Sequence, residues 1–222
     1  LGTIEEPVRN FLAAHADKFK GQIVAVGCSG NFTSERVLWE ATGGGVRLYS
    51  NDVSLYSSII GAHLAGDIFD VEVKEAGYRW LNAYFEAGGW TRIAALLVIN
   101  RVLTFERQRN AHEKRMWREY MARFGELVET TAQKLDDLAL EVKEYYAGDI
   151  FEHFKRIDEM FGDQVIYTSY MPFFKGGYER LYRRLDEVFA WKSPTYPMLD
   201  DERRVEIATW CMERRHVTLL HF

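Results

Sequence analysis

The sequence predicts an α/β fold of the Rossmann-like type, in which a mostly parallel sheet carries helices and a helical insertion interrupts the chain. Short apolar segments alternate with segments of helical periodicity in residues 1–72 and again in residues 141–222. Residues 73–140 show long helical patterns and no convincing strand. The resulting order, β-α-β-α, insertion, β-α-β-α-β, predicts a ligand crevice at the carboxyl ends of the strands.

The first part of the core alternates between the two periodicities in short steps. Its expected elements are a helix over 4–19, a strand over 23–27, a helix over 33–41, a strand over 46–50 and a helix over 54–66. Pro7 is acceptable because it falls in the first turn of its helix, and three consecutive glycines at 43–45 end the second helix. These residues therefore predict a β-α-β unit preceded by a helix.

The second part of the core resumes the same rhythm after the insertion. Its expected elements are a strand over 141–147, a helix over 149–161, a strand over 163–170, a helix near 176–189, a helix over 200–214 and a strand over 216–222. Pro194 and Pro197 mark a loop between the last two helices. The complete pattern predicts five core strands.

Composition limits the classes of protein to consider. With 222 residues, of which 47% are hydrophobic, the chain is long enough for an α/β domain with a real core. A net charge of −5 argues against a chain that binds nucleic acid over its whole surface, but it allows a local basic face. Two cysteines and no apolar run of membrane length predict a reducing, cytoplasmic location without a membrane partner. Neither cysteines nor histidines show zinc-ligand spacing, so no metal site is expected.

The turn in IVAVGCSGNF, after the first strand, is the first candidate site. Gly27, Ser29 and Gly30 leave the backbone open to close approach by a nucleotide-like ligand, although such glycines often serve the turn alone. Asp52 ends the second strand, where nucleoside-binding folds place an acid that accepts hydrogen bonds from ribose hydroxyls. Because the turn lacks the GxGxxG pattern, a ligand with a ribose and no phosphates, such as S-adenosylmethionine, fits it best.

A third carboxyl-end site follows the next strand, in YYAGDIFEHF. Asp149 is placed to accept a hydrogen bond from the adenine amino group, while Ile150 or Phe151 packs on the ring. Asp149 also stands where a helix N-cap is expected. The two roles are compatible.

With these segments in order, the chain resembles the Dam-type DNA adenine methyltransferases and, more closely, phage-encoded antirestriction adenine methyltransferases. The resemblance rests on VGCSGNF, YSNDVSLYS, AGDIF and VIYTSYMPFFKGGYERLYRRLDEVFAW, and it spans most of the chain. It implies S-adenosylmethionine as cofactor, DNA as partner, and direct methyl transfer to an exocyclic amine without a metal or covalent intermediate. The insertion falls where such enzymes carry their target-recognition region. Their sheets continue beyond a fifth strand, so further domains or subunits are expected beyond residue 222.

The resemblance places the family's DPPY motif at SYMPF, where the match is altered. In the family the Asp accepts from the exocyclic amine, and the aromatic residue stacks on a flipped-out base. Tyr170, Pro172 and Phe173 fall in this segment, and Ser169, one residue earlier, is expected to supply the missing acceptor. One alternative is a non-catalytic methyltransferase-like module that binds DNA or a protein. Another keeps the cofactor but modifies something other than DNA.

The insertion carries a local excess of positive charge. Residues 101–123 contain seven Lys and Arg against three Glu. Arg107, Lys114 and Arg118 are expected to share one helical face that meets DNA phosphates, and a solvated face is the alternative. Four basic residues after the SYMPF segment are expected to extend this stripe: Lys175, Arg180, Arg183 and Arg184.

Overall fold

The computed structural model describes residues 4–171, 178–214 and 218–221. Its strands are β1 (Ile23–Gly27), β2 (Arg47–Asp52), β3 (Val71–Val73), β4 (Glu144–Ala147), β5 (Val165–Tyr170), β6 (Phe189–Trp191) and β7 (Thr218–His221). Its α-helices are α1 (Glu6–Ala14), α2 (Thr33–Thr42), α3 (Leu55–Leu64), α4 (Asn82–Ala87), α5 (Gly89–Leu103), α6 (Ala111–Ala122), α7 (Phe124–Asp136), α8 (Ile150–Phe161), α9 (Tyr178–Val188) and α10 (Asp201–Met212). Among these residues no helix is both long and apolar enough to span a membrane.

The chain divides into two compact units. The sheet unit comprises Leu1–Phe69, Leu140–Tyr178 and Ser193–Phe222, and the helical unit comprises Asp70–Ala139 and Glu179–Lys192. Helix α9, which the sequence analysis assigned to the second part of the core, is therefore grouped with the insertion. The domain limits derived from the sequence stay a prediction.

The sheet unit is built on five parallel strands in the order β4-β2-β1-β5-β7. This is the order of a doubly wound fold, whose topological switch point lies between β1 and β5. Gly27 at the end of β1 stands opposite Ser169 at the end of β5, and Asp52 at the end of β2 stands opposite Ala147. The predicted Rossmann-like class is confirmed, and its crevice is expected at these strand ends.

Strand β1 is buried on both faces of the sheet. Ile23 and Ala25 belong to one core cluster, which α8 and α10 complete, whereas Val24 and Val26 belong to a second cluster with α1 and α2. All five residues of the strand are buried. A strand buried on both faces reads as a continuous apolar run, which is why the sequence identified it without alternation.

The helical unit contains two short strands that the sequence analysis did not anticipate. β3 pairs antiparallel with β6, with Val71 opposite Trp191. Strands of three residues are too short to show a period of two. Beside them, Arg184 on α9 forms salt bridges with Glu75 and Glu106, and the Tyr78 hydroxyl donates to Glu106. These contacts tie α9 to the start and to the middle of the insertion.

Candidate active site

The Gly-rich turn after β1 has an unusual backbone. Cys28, Gly30 and Phe32 have positive φ angles of 57°, 52° and 56°. For residues other than glycine this left-handed conformation is uncommon, and it is often found at functional sites. The turn is fastened to β2 because the Ser29 N–H donates to the Asn51 carbonyl (2.8 Å) and the Asn51 N–H donates to the Ser29 Oγ (3.2 Å).

Asp52 binds the turn directly. Its Oδ2 accepts from the Gly30 N–H at 3.0 Å, and its Oδ1 accepts from the N–H groups of Val53 (2.8 Å) and Ser54 (2.9 Å). The residue is 3% exposed. The structure thus brings together the turn and the acid that the sequence paired. A carboxylate of the protein therefore accepts from an N–H group that a phosphate would use at such a turn.

Asp149 is the N-cap of α8, as its alternative reading predicted. Its Oδ1 accepts from the N–H groups of Phe151 (3.0 Å) and Glu152 (3.1 Å). Ile150 is 5% exposed and lies beside β1, since its Cδ1 occupies the space that a Cβ added to Gly27 would need. Gly27 therefore serves the close approach of α8 to β1. The contact of Ile150 or Phe151 with an adenine ring stays a prediction.

The altered motif begins at the switch point. Ser169 is 3% exposed, and its Oγ donates to the Gly27 carbonyl at 3.0 Å. Tyr170 is partly buried at the end of β5. Pro172, Phe173 and Lys175 lie outside the described residues. The structure therefore joins Ser169 to the Gly-rich turn, and the contact of Pro172 and Phe173 with a target base stays a prediction.

Two further groups at this edge were missed by the sequence analysis. Burial, followed by the negative charge of Asp52, raises the pKa of Cys28 to about 12, so the thiol stays protonated. Glu35 in α2 is fully buried. Burial raises the pKa of Glu35 to about 7, against the opposing effect of the nearby Ser29 hydroxyl. Glu35 lies at helical spacing from Leu38, which is also buried. This spacing is the sequence signal that could have identified Glu35 as a buried residue.

The basic stripe of the insertion differs from the prediction first at Arg107. α5 ends at Leu103 and α6 begins at Ala111, so Arg107 lies in the connection and does not share a helical face with Lys114 and Arg118. Gln108 has a positive φ, and the Asn110 side chain caps α6 by accepting from the Glu113 N–H at 2.9 Å. The local cap signal decided the helix start, whereas the charge pattern alone suggested continuity.

Lys114 and Arg118 are exposed on α6, and neither forms a salt bridge within the described part of the chain. They border a shallow depression of about 520 Å³, lined by Ala111, Lys114, Arg115, Arg118 and Glu119. Arg184 was wrongly assigned to the stripe, because its guanidinium is already held by Glu75 and Glu106. Of the residues expected in the stripe, Lys114 and Arg118 are exposed on α6, Arg107 is exposed in the connection before it, and Arg183 is exposed on α9.

Comparison with protein families agrees with the predicted fold and with the resemblance seen in the sequence. No curated protein and no solved structure gives a significant match. A family model described as Phage DNA Adenine Methylase-like domain 1 matches residues 1–221, which include the Gly-rich turn, both acids and the altered motif. The chain therefore belongs to this Dam-like phage methyltransferase family.

Proposed function

We propose that the protein transfers a methyl group from S-adenosylmethionine to an exocyclic amino group of a base in DNA, as part of a phage's DNA modification against restriction. Family membership supports the general activity of an adenine methylase. The observation that carries the specific proposal is the hydrogen bond from the Gly30 N–H to Asp52 at the carboxyl edge of a doubly wound sheet. Ser169 stands at the switch point of the same sheet.

The residues at this edge fit the cofactor by their chemistry. In this proposal Gly27, Ser29 and Gly30 form the floor of the cofactor site, and Asp52 accepts hydrogen bonds from the ribose hydroxyls. Asp149 accepts a hydrogen bond from the amino group of the adenine. When bound, the cofactor supplies a methyl group activated by a sulfonium. Carboxylates suit this ligand because they complement hydroxyl and amine donors, and they would repel a nucleotide's phosphates.

Ser169 is the proposed acceptor for the amine of the target base. Its hydroxyl proton is already given to the Gly27 carbonyl, so the oxygen lone pairs are directed away from that bond. An amine whose N–H is held by an acceptor has its own lone pair oriented for attack. In this proposal Tyr170 closes the site, while Pro172 and Phe173 face the flipped base. Cys28 does not compete for the methyl group because it is a thiol rather than a thiolate.

Lys114 and Arg118 are the proposed phosphate contacts, with Arg107 and Lys175 as additional ones. The first two lie one helical turn apart and border the depression on α6. Phosphate contacts of this kind position a DNA strand without reading its sequence. This arrangement supports DNA as the partner of an otherwise acidic protein.

A second candidate is a non-catalytic methyltransferase-like module that binds DNA or a protein. The low exposure of Ser169 favours it, since a buried hydroxyl bonded to a backbone carbonyl also serves a purely structural role. The two candidates differ in whether a labelled methyl group reaches DNA.

The test is transfer of labelled methyl from S-adenosylmethionine to mixed-sequence DNA, single- and double-stranded, with cofactor binding measured by calorimetry. Wild type is expected to bind the cofactor and to label DNA. Ser169→Ala is expected to bind the cofactor and to lose transfer. Thr168→Ala, which removes the neighbouring buried hydroxyl of β5, is the control for destabilised folding and should retain transfer.

Each other outcome has a defined meaning for the proposal. Cofactor binding without transfer by wild type supports the non-catalytic module. Transfer that survives Ser169→Ala means that another group accepts from the amine. Absence of both binding and transfer contradicts the methyltransferase proposal.

A further inference from the structure

Arg203 links α10 to the candidate adenine acid. Its Nη2 donates to the Asp149 Oδ1 at 3.0 Å, and its Nη1 donates to Glu206 at 2.7 Å. The guanidinium carbon lies 4.8 Å from the centre of the Phe151 ring. The side chain is 21% exposed, so most of it is enclosed by these partners. Three contacts in different directions hold the guanidinium in one place.

The donors to Asp149 all converge on one oxygen. Oδ1 accepts from Phe151 N–H, Glu152 N–H and Arg203, whereas Oδ2 accepts no hydrogen bond from any of the described residues. A helix cap needs only the two backbone donors, so Arg203 adds a third constraint to the same oxygen. The consequence is a carboxylate with a fixed plane and one oxygen left for another donor.

We propose that Arg203 is a positioning residue for adenine recognition, which fixes Asp149 so that its Oδ2 accepts the exocyclic amine. This inference rests on the proposed function, because it needs the cofactor to bind at Asp149. Lysine cannot replace arginine here, because a point charge cannot donate to Asp149 and Glu206 in a fixed fork while it covers Phe151. Arg203 acts through Asp149 and has no predicted contact with the target base.

The proposal is tested by comparing the affinities of two ligands that differ only in the exocyclic amine of the adenine. A fixed carboxylate oxygen accepts a hydrogen bond from an amine, but it repels the carbonyl oxygen that replaces the amine in hypoxanthine. Wild type should therefore bind S-adenosylhomocysteine roughly tenfold or more tightly than its deaminated hypoxanthine analogue. A carboxylate that is free to rotate discriminates less. Arg203→Lys and Arg203→Met should both reduce the preference to about threefold or less.

The matched variants separate positioning from simple stabilisation. Asp149→Asn keeps a side-chain oxygen for the cap and replaces Oδ2 by an amide donor, so its preference should shift towards the hypoxanthine analogue. Arg36→Met removes an exposed arginine from α2 in the same unit and should leave the preference unchanged. Affinities are measured by calorimetry for all variants, together with their melting temperatures.

Three results would overturn the inference. Equal weakening of both ligands by Arg203→Met and Arg203→Lys would show a structural role only. Equal affinity of wild type for the two ligands would show that Asp149 does not accept the amine, while the methyltransferase proposal stands. Absence of binding of either ligand to wild type would overturn the proposed function and this inference together.

Discussion

The charged side chains at the carboxyl edge of the sheet and those on the exposed face of α6 differ in burial and in hydrogen bonding. At the edge, Asp52 and Asp149 are buried and accept backbone N–H groups of the protein itself. On α6, Lys114 and Arg118 are exposed, and no residue of the helix is fully buried. A charge that already serves the fold cannot be changed without a cost in stability. The comparison therefore predicts coupled effects at the edge and separable effects on α6.

The largest effect is expected for Asp52→Ala. Loss of the ribose acceptor should weaken S-adenosylmethionine binding by about 2–4 kcal/mol, and loss of the acceptor for three backbone N–H groups should lower the free energy of unfolding by at least about 2 kcal/mol. Calorimetry and chemical denaturation measure the two quantities. Asp67→Ala, an exposed carboxylate of the same unit, is the control. A loss of affinity for S-adenosylmethionine with an unchanged free energy of unfolding would contradict the predicted coupling of the two effects at the edge.

The next effect is a change in pH dependence in Glu35→Gln. Burial raises the pKa of Glu35 from its ordinary value of 4.5 to about 7, so the folded protein keeps a proton that the unfolded chain releases. At low pH the burial of Glu35 therefore does not lower the free energy of unfolding. As the pH rises past neutrality, it lowers this free energy by up to about 3 kcal/mol. The glutamine variant should be more stable than wild type near pH 8, and similar to it near pH 4.

His153 provides an internal check on this experiment. Burial lowers the pKa of His153 to about 4, so the stability that its neutral form gives is lost as the pH falls from about 6.5 towards 4. In wild type this slope opposes that of Glu35. Denaturation of Glu35→Gln should therefore show stability that rises with pH across this window. Parallel profiles for wild type and variant would mean that Glu35 ionises normally.

A smaller effect is expected for Asn110→Ala at the start of α6. The side chain accepts from the Glu113 N–H, and loss of an N-cap costs about 1 kcal/mol. Because α6 has no fully buried residue, the loss should appear as faster amide exchange in its first turns with little change in global unfolding. Asn110→Asp retains the cap and is the control. A large global loss would show that α6 is integral to its unit's core.

The smallest effect on stability is expected for Lys114→Glu/Arg118→Glu, which should change the free energy of unfolding by no more than about 0.5 kcal/mol. DNA binding should nevertheless weaken, and the slope of log affinity against log salt should fall by about 2, since each phosphate contact contributes nearly one unit. Lys18→Glu/Lys192→Glu makes the same change in net charge at exposed lysines and is the control. Identical slopes in all three proteins would reduce α6 to a solvated face.

Local patterns in the sequence were sufficient for most of the fold. The apolar run of β1, the glycines that end α2 and the acids at the ends of β2 and before α8 all act within a few residues. Strand ends of a parallel sheet meet at one edge, so Asp52 and the turn at Gly30 were correctly brought together. The cap role of Asp149 was identified from its position directly before the α8 helix.

Only the tertiary structure decided which charges were already used. Arg184 and Arg203 look alike in the sequence, yet one is held by Glu75 and Glu106 within the helical unit and the other by Asp149 within the sheet unit. Glu35 looks like a surface residue of a helix but is fully buried. Helical and strand periods depend on neighbours in the chain, whereas the partner of a charged side chain depends on packing between distant segments. The sequence by itself determined the elements and their order, and the packing determined which side chains remained for a ligand.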